Sequence, residues 1–147
     1  AQLEYNHGDI SATRSLIRQS LALKEDHVNA YLMLARLEAE EDNIDEAIKS
    51  AERVALLIPN NPAVHFELGL LKYSNEDYRG AVNAFSLALG LIPDYANAQY
   101  YLGLTLAQLG RLDEAVKQFE ALSITNPDNQ DVRSIIKNLR AGRNPTK

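Results

Sequence analysis

Apolar residues recur along this chain at steps of three and four positions, which is the spacing of one face of an α-helix. The whole pattern repeats at a shift of 34 residues. NIDEAIKSAERVALLIPNNP, from Asn43, aligns with DYRGAVNAFSLALGLIPDYA, from Asp77, and with RLDEAVKQFEALSITNP, from Arg111. A fixed period of this length is typical of stacked structural repeats. The pattern therefore predicts an array of similar helical units.

One segment of each unit is an amphipathic helix, which we term helix B. Each copy is closed by Glu25, Pro59, Pro93 or Pro127, and a proline disfavours helix in the residue before it. The apolar face of helix B is predicted from five aligned columns: Ile10, Ile44, Tyr78, Leu112; Thr13, Ala47, Ala81, Ala115; Ile17, Ala51, Phe85, Phe119; Ser20, Val54, Ala88, Leu122; and Leu23, Leu57, Leu91, Thr125. The three alanines Ala47, Ala81 and Ala115 are expected to be nearly inaccessible at a helix crossing.

A second periodic segment, helix A, precedes helix B in each unit. Its apolar columns are Ala30, Val64, Ala98, Val132; Leu34, Leu68, Leu102, Ile136; and Leu37, Leu71, Thr105, Leu139. A small residue, Ala35, Gly69 or Gly103, lies between the large ones. Because a small side chain lets a partner helix approach closely, these residues predict tight packing of helix A on helix B.

These features resemble the tetratricopeptide repeat. The resemblance rests on the small and large alternation in helix A, the alanine column of helix B and the closing proline. It implies an all-α fold of stacked antiparallel helix pairs in a right-handed superhelix, an α-solenoid. We expect a single domain over 1–147, with a partial first repeat (1–27), full repeats (28–61, 62–95, 96–129), a capping helix (130–141) and a tail (142–147). The segments LGRLDEAVKQFE and NPDN resemble the corresponding segments of bacterial family members.

The first copy and two later positions depart from the family pattern. The aromatic residue usual near the start of helix A is present as Tyr31 but is replaced by His65 and Gln99. Thr13 and Ser20 stand in the first copy where small apolar residues are expected. These differences weaken the first repeat without changing the assignment.

Both ends of the array carry information. Arg133, Lys137, Asn138 and Arg140 occupy the other faces of the last helix, as a solvating cap requires. At the other end Leu3 falls in the column of Leu37 and Leu71, so the chain begins partway through a helix A. Two interpretations stay open: a fragment or dimer in which something else completes the first hairpin, and a natural terminus with a frayed first helix.

Composition narrows the classes of function. Hydrophobic residues make up 46% of the chain, which suffices for a packed core. The net charge is −5 without a basic stripe, so nucleic acid is not expected as a partner. There is no cysteine, which excludes disulfides and thiolate chemistry. No apolar run approaches the roughly 20 residues that span a bilayer, so no direct membrane insertion is expected.

The non-core columns of helix A are the predicted binding surface, because A helices line the concave side of a solenoid. We term this surface the groove. The alternative interpretation of these columns is that adjacent A helices bury their side chains between themselves. The family members that hold acidic chaperone tails use lysine, asparagine and arginine on these columns. In this sequence only Arg36 among the corresponding residues has the charge to bind a carboxylate, so we expect an apolar or aromatic peptide to fit the groove better. The groove residues are Leu32, Arg36, Phe66, Leu70, Tyr73, Asn97, Tyr100, Tyr101 and Leu104.

Catalytic interpretations are weaker than structural ones. Asp45 with Glu46, and Asp113 with Glu114, lie in the first turn of a helix B, where negative charge meets the positive end of the helix dipole. His7, His27 and His65 lie in different copies without metal-ligand spacing, and His65 is expected to pack. Asp9 is a candidate helix cap. No catalytic residue, metal or cofactor is predicted.

The function expected from this sequence is non-catalytic protein–protein interaction. A protein or peptide segment would bind in the groove. Two alternatives remain: a self-assembly element that dimerises through the incomplete first repeat, and a soluble tail of a larger, membrane-bound bacterial protein whose activity lies elsewhere. The compartment is left open.

Overall fold

The computed structural model describes residues 11–19 and 28–146, which lie entirely in helices and the turns between them. The chain divides into two compact units, Ala1–Pro59 and Asn60–Lys147, and each is described by itself. The prediction of a single domain stays a prediction, and Asp9, Ser20, Leu23, Glu25, His7 and His27 lie outside the described residues. Unit 1 contains α1 (11–19), α2 (Val28–Glu40) and α3 (Ile44–Leu57); unit 2 contains α4 (Pro62–Ser74), α5 (Tyr78–Leu91), α6 (Ala96–Gln108), α7 (Leu112–Thr125) and α8 (Gln130–Arg140).

Helix B of the sequence pattern corresponds to α1, α3, α5 and α7, and three of these end as the prolines predict. The residues before the prolines, Ile58, Ile92 and Asn126, have φ values of −131°, −130° and −132°, outside the helical range. The next helix then begins at a capped residue: the side-chain oxygen of Asn61 accepts hydrogen bonds from the backbone of Ala63 and Val64. The closing proline therefore works locally, by moving the preceding residue out of helical geometry.

Helix A corresponds to α2, α4, α6 and α8, and all four end in the same backbone motif. A residue with positive φ follows the helix, namely Asp42 (60°), Glu76 (59°), Gly110 (75°) or Gly142 (68°). In the third copy the amide of Gly110 bonds to the carbonyl of Ala107 at 3.0 Å, and the amide of Arg111 to that of Leu106 at 2.9 Å. This pair of bonds defines the Schellman motif, which satisfies carbonyls left free at a helix end.

In unit 2 each small residue of helix A receives an aromatic ring from the following helix B. A Cβ atom placed on Gly69 would lie 2.5 Å from the Phe85 ring, and one on Gly103 would lie 2.6 Å from the Phe119 ring. Both rings are fully buried. The predicted close approach of helices A and B is confirmed, and the reason for glycine at these two positions is the space that the ring fills.

The outermost column of the predicted helix B face is wrong for the last two copies. Leu91 is 40% exposed and Thr125 is exposed, whereas the other columns of α5 and α7 are buried or half-buried. Both residues are the last residue of their helix. Helical periodicity alone does not show where the neighbouring element stops.

Unit 1 contains a buried carboxylate that ties α1 to α2. Glu38 is 2% exposed, and its Oε1 atom lies 3.0 Å from Nε of Arg14 and 3.1 Å from Nη2 of Arg18. Its Oε2 atom accepts a hydrogen bond of 3.1 Å from Asn43, at the entrance to α3. Arg14 also pairs with Glu41. Polar contacts therefore join the three helices of this unit.

Substitution of Ala81 by leucine is expected to destabilise unit 2 by about 1–3 kcal/mol, because the added atoms overpack a full site. Ala81 is completely buried, as are Ala47 and Ala115, which confirms the expectation for this column. Urea unfolding followed by circular dichroism measures the change. Ala96→Leu, at the exposed first residue of α6, is the matched control, and equal stability of the two variants would contradict the packing assignment.

Candidate functional site

Aromatic side chains from α4 and α6 meet on the groove columns of unit 2. The ring of Tyr101 lies with its centroid 5.9 Å from Phe66, 6.1 Å from Tyr73 and 5.5 Å from Tyr100. These three pairs are edge-on, which is a favourable geometry for aromatic rings. Tyr101 also stacks on the buried ring of Phe85, at 6.0 Å. The surface rings are thus fixed to the core beneath them.

The groove residues of unit 2 differ in how far they reach the surface. Phe66, Leu70, Tyr73, Tyr100 and Tyr101 are partly buried and pack against the core. Part of this apolar surface is therefore covered and the remainder stays accessible, while its use as a binding surface stays a prediction. Five half-buried groups side by side form a firm apolar wall, a typical property of binding surfaces.

Two further groove residues of unit 2 have different environments. Leu104 is only 9% exposed and belongs to the core cluster, so its side chain supports the wall from below. Asn97 is exposed in the first turn of α6. The expectation that Leu104 offers contact surface needs correction, because its side chain is buried in the core cluster of unit 2. Leu32 and Arg36 lie in unit 1, half-buried and exposed respectively.

The tyrosine hydroxyls give this apolar wall polar edges. Burial raises the pKa of Tyr100 above its usual value, and Tyr101 and Asp131 act in the same direction. Burial also raises the pKa of Tyr73, against a smaller opposing effect of its hydrogen bond with Gln108. Both phenols are therefore neutral at physiological pH. Neutral hydroxyls can donate and accept hydrogen bonds to a peptide backbone.

Tyr95 is a member of this aromatic cluster that the sequence columns missed. Its ring centroid lies 5.2 Å from that of Phe66, and its backbone caps α6 without a side-chain hydrogen bond. The aligned positions in the neighbouring turns are the capping residues Asn61 and Asn129. The sequence signal that could have identified Tyr95 is an aromatic residue at a position where other copies carry a helix-capping asparagine.

Glu46 and Glu114, one acid from each adjacent pair considered for catalysis, are engaged in ion pairs. Nζ of Lys49 lies 2.8 Å from Glu46, and Arg111 holds both oxygens of Glu114, at 2.8 and 2.7 Å. The hydrogen bonds from these cations lower the pKa of each carboxyl below its usual value. A carboxyl acting as a general acid near neutral pH needs the opposite shift.

The histidines and acids of residues 11–19 and 28–146 do not form a metal centre. No group of three or more His, Asp or Glu side chains in these ranges is arranged to hold a metal ion. His65 is buried, in agreement with the expectation that it packs. None of the helices described has the length and apolar character needed to cross a membrane.

Helix hairpins at a fixed period, with interlocking glycine and aromatic columns, define a helical-repeat protein. Comparison with protein-family models identifies which one. The chain belongs to the tetratricopeptide repeat family, since two models of this repeat match residues 6–68 and 66–129. The resemblance inferred from the sequence is confirmed.

Solved structures share the all-α tetratricopeptide-repeat fold. MamA superposes with a TM-score of 0.81 over 95% of this chain and 81% of that chain, at 22% identity. YrrB, described as a TPR protein with an unusual peptide-binding site, gives a TM-score of 0.80 over 96% of this chain and 73% of that chain, at 21% identity. At these identities the likeness establishes the fold.

A curated relative adds information on the class of function. The peroxisomal targeting signal receptor of Eremothecium gossypii is 37% identical over 68 residues, 46% of this chain. The match spans only 12% of the receptor's length. Together with the fold, these comparisons support protein–protein interaction as the class of function. The bacterial source expected from the sequence stays a prediction.

Proposed function

We propose that unit 2 binds a protein segment on the wall formed by α4 and α6, and that the segment carries apolar or aromatic anchor residues. The observation that carries this proposal is the continuous network of half-buried rings, Phe66, Tyr73, Tyr100 and Tyr101, on one side of two neighbouring helices. Aromatic residues fixed by packing bind at little cost in side-chain entropy, which is why they dominate binding energies at interfaces.

The polar groups around this wall favour an uncharged partner segment. Asn97 is exposed at one end of α6, and the neutral hydroxyls of Tyr73 and Tyr100 lie along the wall. These groups suit backbone amides and carbonyls. No lysine or arginine occupies the groove columns of α4 and α6, so the carboxylate of an acidic tail would lack a counter-charge there.

Binding without catalysis is the second part of the proposal. Glu46 at the start of α3 and Glu114 at the start of α7 are exposed and paired with Lys49 and Arg111, whose hydrogen bonds lower the pKa of each carboxyl. Their role is to stabilise the first helical turn, in keeping with the position of negative charge at a helix N-terminus. Repeats of this family provide surfaces rather than reactive groups, and this chain follows that pattern.

Replacement of Tyr100 by serine is expected to weaken binding of groove peptides by about tenfold or more, because truncating a central aromatic anchor typically costs ~2 kcal/mol. A peptide array selects apolar and aromatic binders of residues 1–147, and fluorescence anisotropy of the labelled hits gives dissociation constants. Leu70→Ser tests the α4 side of the wall. Leu104 is unsuitable for this test because its loss would damage the core.

The matched control is Leu87→Ser, which removes a 55% exposed leucine from α5, away from the wall. Its affinity should equal that of the unmodified chain. If Tyr100→Ser and Leu70→Ser fold normally and bind every selected peptide unchanged, the proposed surface is wrong. Light scattering separates the alternative of self-assembly, which predicts a mass that rises with concentration.

A further inference from the structure

A cleft of about 640 Å³ opens between the end of α7 and α8. Its floor is apolar and consists of Pro127, Ile136 and Ala141. Three cations line it: Arg133, Lys137 and Arg140. They are four and three residues apart, so one face of α8 presents all three to the same space.

The residue types on this face depart from the other copies. Lys137 occupies the column of Gly69 and Gly103, where a Cβ would lie 2.5 and 2.6 Å from the aromatic ring of the following helix. A lysine at this position is incompatible with a further ring packed in the same way. Residues 141–146, which follow α8, form turns. Among the described residues, the turns after α8 therefore place no further helix on this face, and the face is cationic.

Solvation of a terminal helix accounts for only part of this charge. Lys137 and Arg140 lie in the last turn of α8, where the helix dipole favours cations. Arg133 lies near the start of the helix, where the dipole disfavours them. Three like charges at these spacings also repel one another. The carboxylate of Glu120 offsets part of this repulsion at Arg140, and a further anion in the cleft would offset more of it.

The structure already contains the type of contact that such a ligand would make. The guanidinium of Arg140 pairs with the carboxylate of Glu120, and that of Arg133 donates to the backbone carbonyl of Pro127. The cations of this face can thus donate hydrogen bonds both to a carboxylate and to a peptide carbonyl. The apolar floor adds space for one aliphatic side chain beside them.

We propose that the cleft between α7 and α8 binds an acidic peptide segment of a partner protein, with carboxylates at Arg133, Lys137 and Arg140 and an aliphatic side chain on Ile136. Charge complementarity selects the ligand: residues 132–147 contain no acid, whereas the whole chain carries −5. A long polyanion such as nucleic acid would extend beyond the cleft onto a surface that repels it.

The test uses a short fluorescein-labelled peptide of alternating glutamate and leucine and its glutamine counterpart, measured by fluorescence anisotropy with residues 1–147. The glutamate peptide should bind, with an affinity that falls as salt is added, and the glutamine peptide should not. The double variant Arg133→Glu with Lys137→Glu should lose about tenfold in affinity or more, because reversal turns two attractions into repulsions.

Controls separate this site from the overall charge and from the groove. Arg79→Glu with Lys117→Glu makes the same charge change at exposed positions on α5 and α7 and should leave binding within about twofold. Arg133→Gln with Lys137→Gln checks the effect without introducing acids, and circular dichroism checks folding. Tyr100→Ser, which impairs the groove, should bind the glutamate peptide normally, so failure of one site is distinguishable from failure of the other.

Three results would overturn the proposal. One is equal loss of binding in the two charge-reversed double variants. Another is no binding of the glutamate peptide at millimolar concentration. The third is tighter binding of a single-stranded oligonucleotide or of anionic lipid vesicles than of the peptide, which would assign the cleft to another class of ligand.

Discussion

Replacing Phe119 with alanine is expected to lower the free energy of unfolding of unit 2 by about 3–5 kcal/mol. The ring is 0% exposed and fills the space that Gly103 leaves in α6. It also packs edge-on against Tyr100, at 5.7 Å. Removal of the ring leaves a cavity bordered by a glycine, which has no side chain with which to close it. The cost is therefore expected near the top of the usual range.

Chemical denaturation monitored by far-ultraviolet circular dichroism measures this effect. Leu87→Ala removes a comparable apolar side chain from an exposed position of α5 and should change stability by less than about 0.5 kcal/mol. Because Tyr100 rests on Phe119, the alanine variant should also weaken peptide binding to the groove. A loss no larger than that of Leu87→Ala would show that α6 and α7 do not interlock as described.

Glu38→Ala is expected to destabilise unit 1 by about 3–5 kcal/mol, the usual cost of removing one partner from a buried ion pair. The carboxylate lies 3.0 Å from Arg14 and 3.1 Å from Arg18, and it accepts a hydrogen bond of 3.1 Å from Asn43. The guanidinium nitrogens of Arg14 are buried. Without Glu38, Glu41 is the one acid among the described residues that still pairs with them. The side chain links three helices, so the loss is distributed over the whole unit.

Amide hydrogen exchange is the appropriate measurement, because it reports the stability of α2 and α3 separately from that of unit 2. Glu46→Ala is the matched control: it removes an acid of the same type from an exposed pair with Lys49, and exchange in α2 and α3 should stay close to that of the unmodified chain. If exchange in α2 responds equally to both substitutions, Glu38 is not a structural centre of unit 1.

Most of the helical framework was predictable from the sequence, because each copy repeats the same solution with different residues. The column of Ala47, Ala81 and Ala115 identified the helix crossing, and the prolines identified the ends of the B helices. Glu38 was not predicted. It stands in a packing column with Lys72, Leu106 and Arg140, and its burial depends on two arginines from another helix, which local periodicity does not contain.

The candidate site was predictable in its position but not in its depth. Phe66, Tyr73, Tyr100 and Tyr101 meet as the columns of helix A indicate. Leu104 is buried and Tyr95 joins from a turn, because the extent of coverage depends on how neighbouring helices overlap. The overlap between helices is set by the packing of the whole array, so it cannot be predicted from the column pattern of a single helix.

The left-handed residue that ends each A helix shows which level of organisation governs the loops. Gly110 adopts this conformation without steric cost, but Asp42 and Glu76 adopt it against the preference of a residue with a Cβ atom. Identical loop geometry from unlike residues means that the packed hairpins impose the turn on the chain. The strained conformation of Asp42 and Glu76 thus lowers the stability of their hairpins. Glycine at either position, as found at Gly110, should remove this strain.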